Sequence, residues 1–228
     1  MATDRAPRVL AISVLVTAVL YAVPFGRTIA WPLVLVSTLA HELGHGLAAV
    51  LLGGRFESLR LHADGSGVAL WRGGFGRLAT ATVAGAGLVG PALAAFLLLV
   101  LGRTTRHARV ALGILGAGLV LVALLLTRNA FGIVFTLFLA AVFLLIAVRA
   151  PTFSQTALLL LAVQLALSVF SRGDYLFTNV ALTSAGPMPS DVAVMSDALF
   201  LPYWVWGVLC GGVSVGLLVL GGTIFFRR

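Results

Sequence analysis

The string His41-Glu42-Leu43-Gly44-His45 contains the residues whose types and spacing point most directly to chemistry. On an α-helix, residues four apart are separated by about 400°, so both imidazoles project from one face, one turn apart. Two nitrogen ligands at this spacing suit a single zinc ion. Glu42 lies about 100° round the helix from His41, beside that metal position. There it can accept a proton from an attacking water and deliver it to a leaving amine.

The surroundings of this motif strengthen the interpretation. The motif begins near the middle of the apolar run 30–53, which is long enough to span a bilayer. Ionisable groups are costly at that depth, and their presence therefore indicates function. The alternative is a polar trio that holds helices together by hydrogen bonds. Gly44 and Gly46 allow close helix packing under either interpretation.

A catalytic zinc site has three protein ligands, so the motif requires one more donor. Asp174 and Asp191 are candidates, although the first could pair with Arg172 at the surface and the second with a helix dipole. Asp197 is six residues from Asp191 and so lies on a different helix face. The remaining histidines are weaker candidates, because one lies in a polar turn and the other among arginines: His62 and His107.

The elements that must position these groups are membrane helices. The 228 residues are 61% hydrophobic and only 10% charged, which excludes an ordinary soluble domain and a disordered chain. A single cysteine excludes an internal disulfide. We therefore predict one all-α polytopic membrane domain over residues 1–228, with about six or seven transmembrane helices. The apolar runs are 8–24, 30–53, 78–101, 109–127, 130–148, 152–170 and 203–226.

The charges mostly mark the ends of these runs. All 15 basic residues are arginine, against seven acids, and this excess indicates interface anchoring in a lipid bilayer rather than nucleic-acid binding. Seven spans would place the termini on opposite sides. Arg5 and Arg8 favour a cytoplasmic N-terminus, but the same orientation places Arg103 and Arg106 outside. The membrane orientation stays open.

Two polar segments interrupt the apolar runs. In residues 54–77, two extended stretches flank Asp64-Gly65, which predicts a short β-hairpin after the metal-binding helix. An open hairpin edge cannot face lipid, so it should lie at the interface or line a protein cavity. Residues 171–202 hold three of the seven acids. In this segment, Ser190 can cap a short helix that begins at Asp191.

Together these features resemble the site-2-protease type of intramembrane zinc metalloprotease, and in particular its compact bacterial, B-like branch. The resemblance rests on the His41–His45 motif within a span, the hairpin-like stretch that follows it, and Gly90-Pro91 in the next span. Further matching elements are Ser66-Gly67, Ser190-Asp191, and Pro202 with Trp204 and Trp206. The resemblance implies a zinc site formed by His41 and His45, with Asp191 as the third ligand. Asp174, which follows the sixth apolar run, stays the alternative.

The resulting functional prediction is a zinc-dependent endopeptidase with Glu42 as general base and acid. Its substrate would be a transmembrane or membrane-adjacent protein segment in extended form, for which the 54–77 hairpin could offer an edge strand. The predicted location is the cell membrane of a bacterium, and the oligomeric state stays open. One alternative is a non-catalytic scaffold or chaperone, favoured because Ala94-Ala95 stands where the wider family has an asparagine. A small transporter is less favoured, because repeated halves are absent.

Overall fold

The computed structural model describes residues 5–171, 173–183 and 186–227. Its α-helices are α1 (Arg5–Ala22), α2 (Gly26–Ile29), α3 (Trp31–Leu51), α4 (Arg77–Leu101), α5 (Thr105–Leu125), α6 (Ala130–Arg149), α7 (Ser154–Ser171), α8 (Asp191–Leu199) and α9 (Tyr203–Phe226). The strands are β1 (Arg55–Leu61), β2 (Gly67–Arg72), β3 (Val180–Thr183) and β4 (Gly186–Pro189). Short 3-10 turns at Pro151–Phe153 and Gly173–Phe177 flank α7.

The predicted architecture is confirmed: the chain is an all-α, multi-pass integral membrane protein with a β-hairpin after the second long helix. Within the described residues, seven helices are long and apolar enough to cross a membrane, namely α1, α3, α4, α5, α6, α9 and α7 with its flanking turns. A second hairpin, β3–β4, was not predicted from the sequence. It contains Pro187 and Pro189, which donate no backbone hydrogen bond and therefore argue against a strand.

Helices α3 and α4 pack closely and run antiparallel. Gly90 faces the Ala40 carbonyl so closely that an added Cβ would lie 2.9 Å from the oxygen, and Gly44 faces the Ala86 carbonyl even more closely. Small residues let the two backbones approach in this way. This contact fixes the height of the His41–His45 turn relative to α4.

The two ends of the described chain lie at the same end of the helix bundle. Arg5 donates a hydrogen bond to the Thr152 carbonyl (2.9 Å), just before α7, while Arg103 donates to the Arg227 carbonyl at the end of α9. Gln155 joins these places, because its amide donates to the Gly102 carbonyl (2.9 Å). Seven successive crossings would place these two ends at opposite ends of the bundle, so the observed arrangement does not fit seven successive crossings.

The reason is the direction of α1. At the start of α1, Arg5 contacts Thr152 just before α7, and at its end Tyr21 contacts Gln164 within α7. The two helices are therefore parallel. Helices α3 and α7 both run antiparallel to α4, and α1 therefore runs in the same direction as α3. Two consecutive parallel helices could both span the membrane only if the connection between them crossed it as well. The connection has eight residues, part of which form the helical turn α2, and it is too short to cross an apolar layer of about 30 Å. Helices α1 and α3 are therefore not two successive crossings of the membrane.

Strand β1 of the predicted hairpin is anchored in the helix bundle. Strands β1 and β2 are antiparallel, with a bulge between Phe56 and Ser58. At the turn, Gly65 has a φ of 89°, which favours glycine, and the Asp64 carboxylate accepts the Ser66 backbone N–H (2.9 Å). The side chain of Leu59 on β1 is fully buried. The Leu59 backbone N–H also donates to the Leu126 carbonyl (2.9 Å), so the β1 edge is paired and does not lie open to the hydrocarbon.

Candidate metal centre

Helix α3 presents its two histidines on one face, as the four-residue spacing requires. The Nε2 atoms of His41 and His45 are 3.1 Å apart, and the rings meet edge to face with their centroids 4.7 Å apart. His45 is buried, while His41 is partly exposed to a cavity. Both nitrogens thus point toward a common position next to α3.

The neighbouring helix α4 fixes the orientation of His45. The Nδ1 atom lies 2.8 Å from the Val83 carbonyl, which can only accept, so Nδ1 carries the proton and donates it. In the neutral imidazole this leaves the lone pair on Nε2, as a metal-binding imidazole requires. Gly87 lies so close under the ring that any side chain there would collide with it. Val83 could not be recognised from its residue type, because its contribution is a backbone carbonyl.

Helix α8 brings Asp191 to the two histidines. Ser190 accepts the Ala193 backbone N–H at 3.2 Å, so the prediction that Ser190 caps a helix beginning at Asp191 is confirmed. Ser190 is fully buried and also donates to the Thr178 carbonyl (2.5 Å), which secures the start of α8. The remainder of α8 packs on α4 and α9 through an apolar cluster: Ala81, Ala84, Leu88, Val192, Met195, Ala198 and Cys210.

The Asp191 carboxylate completes a group of three donors. Oδ2 lies 3.1 Å from His41 Nε2, and Oδ1 lies 3.3 Å from His45 Nε2. Burial raises the pKa of this carboxyl, but the adjacent His45 and His41 rings, in their protonated forms, outweigh burial and hold the pKa below its ordinary value. The ionised carboxylate is the form of aspartate that ligates a metal.

These residues fit a zinc ion. Donor atoms about 2.0 Å from a tetrahedral centre lie about 3.3 Å from one another, close to the 3.1 Å between the two Nε2 atoms. One carboxylate oxygen of Asp191 lies at a similar distance from each of these nitrogens, and one ligand atom from each residue lies within 4.8 Å of the others. Asp191 Oδ2 is buried and no donor is aligned to hydrogen-bond it within the described part of the chain, although His41 Nε2 is near. Two ring nitrogens and a carboxylate that converge so closely repel one another unless a proton or a cation lies among them.

Glu42 borders a cavity that opens next to the three donors. The cavity has a volume of about 350 Å³, and Glu42 and His41 line it together with the hairpin tip. Gly67 of β2 is packed against Glu42, and a Cβ there would lie 2.9 Å from the Glu42 carboxylate oxygen Oε1. Hydroxyl groups line it further at Ser37, Thr38, Ser168, Tyr175 and Ser214, and apolar side chains such as Leu88 and Val169 line the remainder. The cavity thus has a mixed polar and apolar lining at the level of the histidines.

Comparison with known families identifies the chain. A family model described as Peptidase M50B-like matches residues 10–221. The chain belongs to the Peptidase M50B-like family. The match confirms the resemblance to site-2-protease-type membrane peptidases, and it spans the histidine helix, the hairpin and α8. No curated protein and no solved structure matches the chain.

Three other residues considered from the sequence do not join the group of donors in this M50B-like chain. Asp197 is exposed at the far end of α8, where its carbonyl accepts from Arg77 (3.1 Å). His62 lies at the hairpin turn, and His107 is exposed in the first turn of α5. The Asp174 side chain lies outside those that the structure describes. Among the described residues, the group that could hold a metal comprises His41, His45 and Asp191.

The hairpin of this M50B-like chain has one occupied edge and one open edge. On β1, the backbone N–H of Leu59 donates to the Leu126 carbonyl and its carbonyl accepts from Arg128 N–H, both at 2.9 Å. Leu59 therefore points its backbone groups away from β2, and its antiparallel partner Ala69 points them away from β1. No third strand pairs with β2 within the described residues. The open edge next to the cavity is thus the edge of β2.

Proposed function

We propose that this protein is a zinc-dependent endopeptidase that hydrolyses peptide bonds of membrane-embedded or membrane-adjacent protein segments. The observation that carries the proposal is the convergence of His41, His45 and Asp191 beside Glu42, at the wall of a cavity within the helix bundle. Membership of the M50B-like family supports it. A buried acid beside three ligand atoms serves hydrolysis, whereas metal storage alone has no use for it.

In this proposal the zinc ion, held by the three donors, supplies the Lewis acidity that activates water and polarises the scissile carbonyl. Glu42 accepts the proton of the attacking water and then delivers it to the leaving amine. The Val83 carbonyl holds His45 in the required tautomer. Since a helix hides its carbonyl groups, the substrate must be extended at the cut site.

The open edge of β2 provides a place for that extended segment. Gly67 pairs with Leu61, and Ala69 pairs with Leu59, in the β1–β2 register. The backbone N–H and C=O groups of the two leucines point away from β2. The backbone groups of their partners on β2 therefore point to the open edge, where an added strand can bind them. Gly67 is also the hairpin residue packed against Glu42. A strand added at this edge would pass close to the general base.

The test is the substitution Glu42→Gln, which removes the proton acceptor but keeps the size of the side chain. The probe is a synthetic single-span peptide with a central Gly-Gly pair between a fluorophore and a quencher, in detergent micelles. We expect cleavage to fall about a hundredfold to ten-thousandfold while zinc content stays unchanged. Glu57→Gln, at the only other glutamate of the sequence, is the matched control and should cleave normally.

A second candidate function is a non-catalytic membrane scaffold. It is favoured by Ala94-Ala95, which occupies the place of the asparagine found after the Gly-Pro element in the wider family. A scaffold would not cleave the peptide when loaded with zinc, and Glu42→Gln would change nothing. Equal cleavage by the wild type and by Glu42→Gln would contradict the role of Glu42 in the proposed mechanism.

A further inference from the structure

The connection between α5 and α6 contacts the hairpin as if it were an additional strand. Besides the two backbone hydrogen bonds at Leu59, a parallel bridge pairs Leu59 with Thr127. Thr127 and Leu59 are both buried. The connection therefore occupies the β1 edge inside the bundle, so an incoming strand cannot pair there.

Asn129 extends this contact with its side chain. Its Oδ1 accepts the Leu61 backbone N–H (3.2 Å), and its Nδ2 donates to the Leu61 carbonyl (2.5 Å). A side-chain amide that binds both backbone groups of one residue reproduces the pairing of a β-strand. Gly132, one turn along α6, leaves the space for this amide, since a Cβ there would lie 2.5 Å from Oδ1.

Asn129 is also the N-cap residue of α6, but its side chain makes no capping hydrogen bond. The amide is directed to a residue 68 positions away in the sequence rather than to its own helix. Its contribution therefore concerns the position of the hairpin, and the start of α6 does not depend on it.

We propose that Asn129 is a positioning residue for cleavage: its amide holds β1, and through β1 the β2 edge, against Glu42. This inference rests on the proposed function. Leu61 is paired directly with Gly67, the residue packed against Glu42. On the other side of the turn, Thr38 of α3 donates to the Gly65 carbonyl (2.7 Å). The hairpin tip is thus held between α3 and the α5–α6 connection.

The substitution Asn129→Asp separates this role from helix capping. Aspartate caps a helix as well as asparagine does, so a capping role predicts wild-type behaviour. A carboxylate cannot donate to the Leu61 carbonyl and faces it with repulsion, so the positioning role predicts a defect. Asn129→Ala should show a similar defect. Thr104→Ala, which removes a cap at the start of α5 and away from the hairpin, is the matched control.

Two measurements are made on the full chain in detergent: hydrogen exchange of residues 55–72, and cleavage of the single-span peptide. For Asn129→Asp we expect faster exchange in the hairpin, unchanged zinc content, and kcat/KM lower by about tenfold to a hundredfold. Because the edge binds the substrate, we expect much of the loss to appear as a higher KM. Thr104→Ala should leave hairpin exchange and kcat/KM at wild-type values.

Wild-type exchange and cleavage in Asn129→Asp would overturn the inference while leaving the proposed function intact, provided that Glu42→Gln is inactive in the same assay. Faster exchange with wild-type kcat/KM would also overturn it, because the hairpin position would then not matter for cleavage. A wild-type protein that does not cleave would contradict the proposed function itself, and with it the role of Asn129 in cleavage.

Discussion

The two polar segments that interrupt the membrane helices approach α3 in different ways. The β1–β2 hairpin is held mainly through its backbone, by the α5–α6 connection on one side and by Thr38 at its tip. The 173–199 segment ends in α8, which is held by the cap at Ser190 and by apolar packing on α4. The first segment brings an open strand edge to Glu42, whereas the second brings a single carboxylate to the histidines.

This difference indicates a division of labour. An edge that receives a substrate must keep its backbone groups available, so its support has to come from the opposite edge. The proposed metal ligand needs one oxygen at a fixed position, and the first turn of a capped, packed helix would provide it. Changes in the hairpin should therefore affect cleavage without affecting zinc, and changes at the start of α8 should affect zinc first.

The largest effect on the hairpin side is expected from Ala69→Pro. Proline removes the N–H that points to the open edge, and it leaves the β1–β2 ladder intact because that N–H takes no part in it. We expect kcat/KM to fall by about a hundredfold with zinc content unchanged. Ala69→Val keeps the N–H and should cleave like the wild type. Normal cleavage by Ala69→Pro would show that substrate does not pair with β2.

A smaller effect, on zinc affinity rather than directly on cleavage, is expected from Ser190→Ala. The substitution removes a cap worth about 1 kcal/mol and loosens the first turn of α8 that carries Asp191. We expect zinc affinity, measured by titration against a chelator, to fall about fivefold. Thr104→Ala removes a comparable cap on α5 and should leave zinc affinity unchanged. An equal loss in both variants would mean that general stability, rather than the placement of Asp191, sets the affinity.

The smallest effect is expected at the base of the hairpin. Arg72 forms an ion pair with Glu57 (3.0 Å), but the arginine side chain is 80% exposed, and such pairs contribute less than about 1 kcal/mol. Arg72→Ala should therefore change neither cleavage nor thermal stability measurably. A loss of activity comparable to that of Ala69→Pro would mean that the hairpin is positioned from its base rather than from its tip and β1 edge.

Local features of this protein were predictable from the sequence. The spacing of His41 and His45 determines their common face through helix geometry alone, and Asp64-Gly65 predicts its turn from backbone preferences. The start of α8 at Asp191 also follows from a local signal, the capping residue Ser190. In each case the information lies within a few residues of the feature.

Features that depend on distant contacts were not predictable. The approach of Asp191 to the histidines depends on the packing of α8 against α4, so the sequence left Asp174 as an alternative. The direction of α1 is set by its contacts with α7, such as that between Tyr21 and Gln164, and hydropathy contains no information about it. Asn129 could be recognised as a helix boundary, but not as a partner of Leu61.

The most direct test of the account is the metal content of the purified protein, measured by mass spectrometry on the wild type, Asp191→Ala and Asp174→Ala. We predict about one zinc ion per chain in the wild type and in Asp174→Ala, and a loss of most of the zinc in Asp191→Ala. Full zinc content in Asp191→Ala would contradict the assignment of Asp191 as the third ligand. Loss of zinc only in Asp174→Ala would transfer that role to the alternative residue.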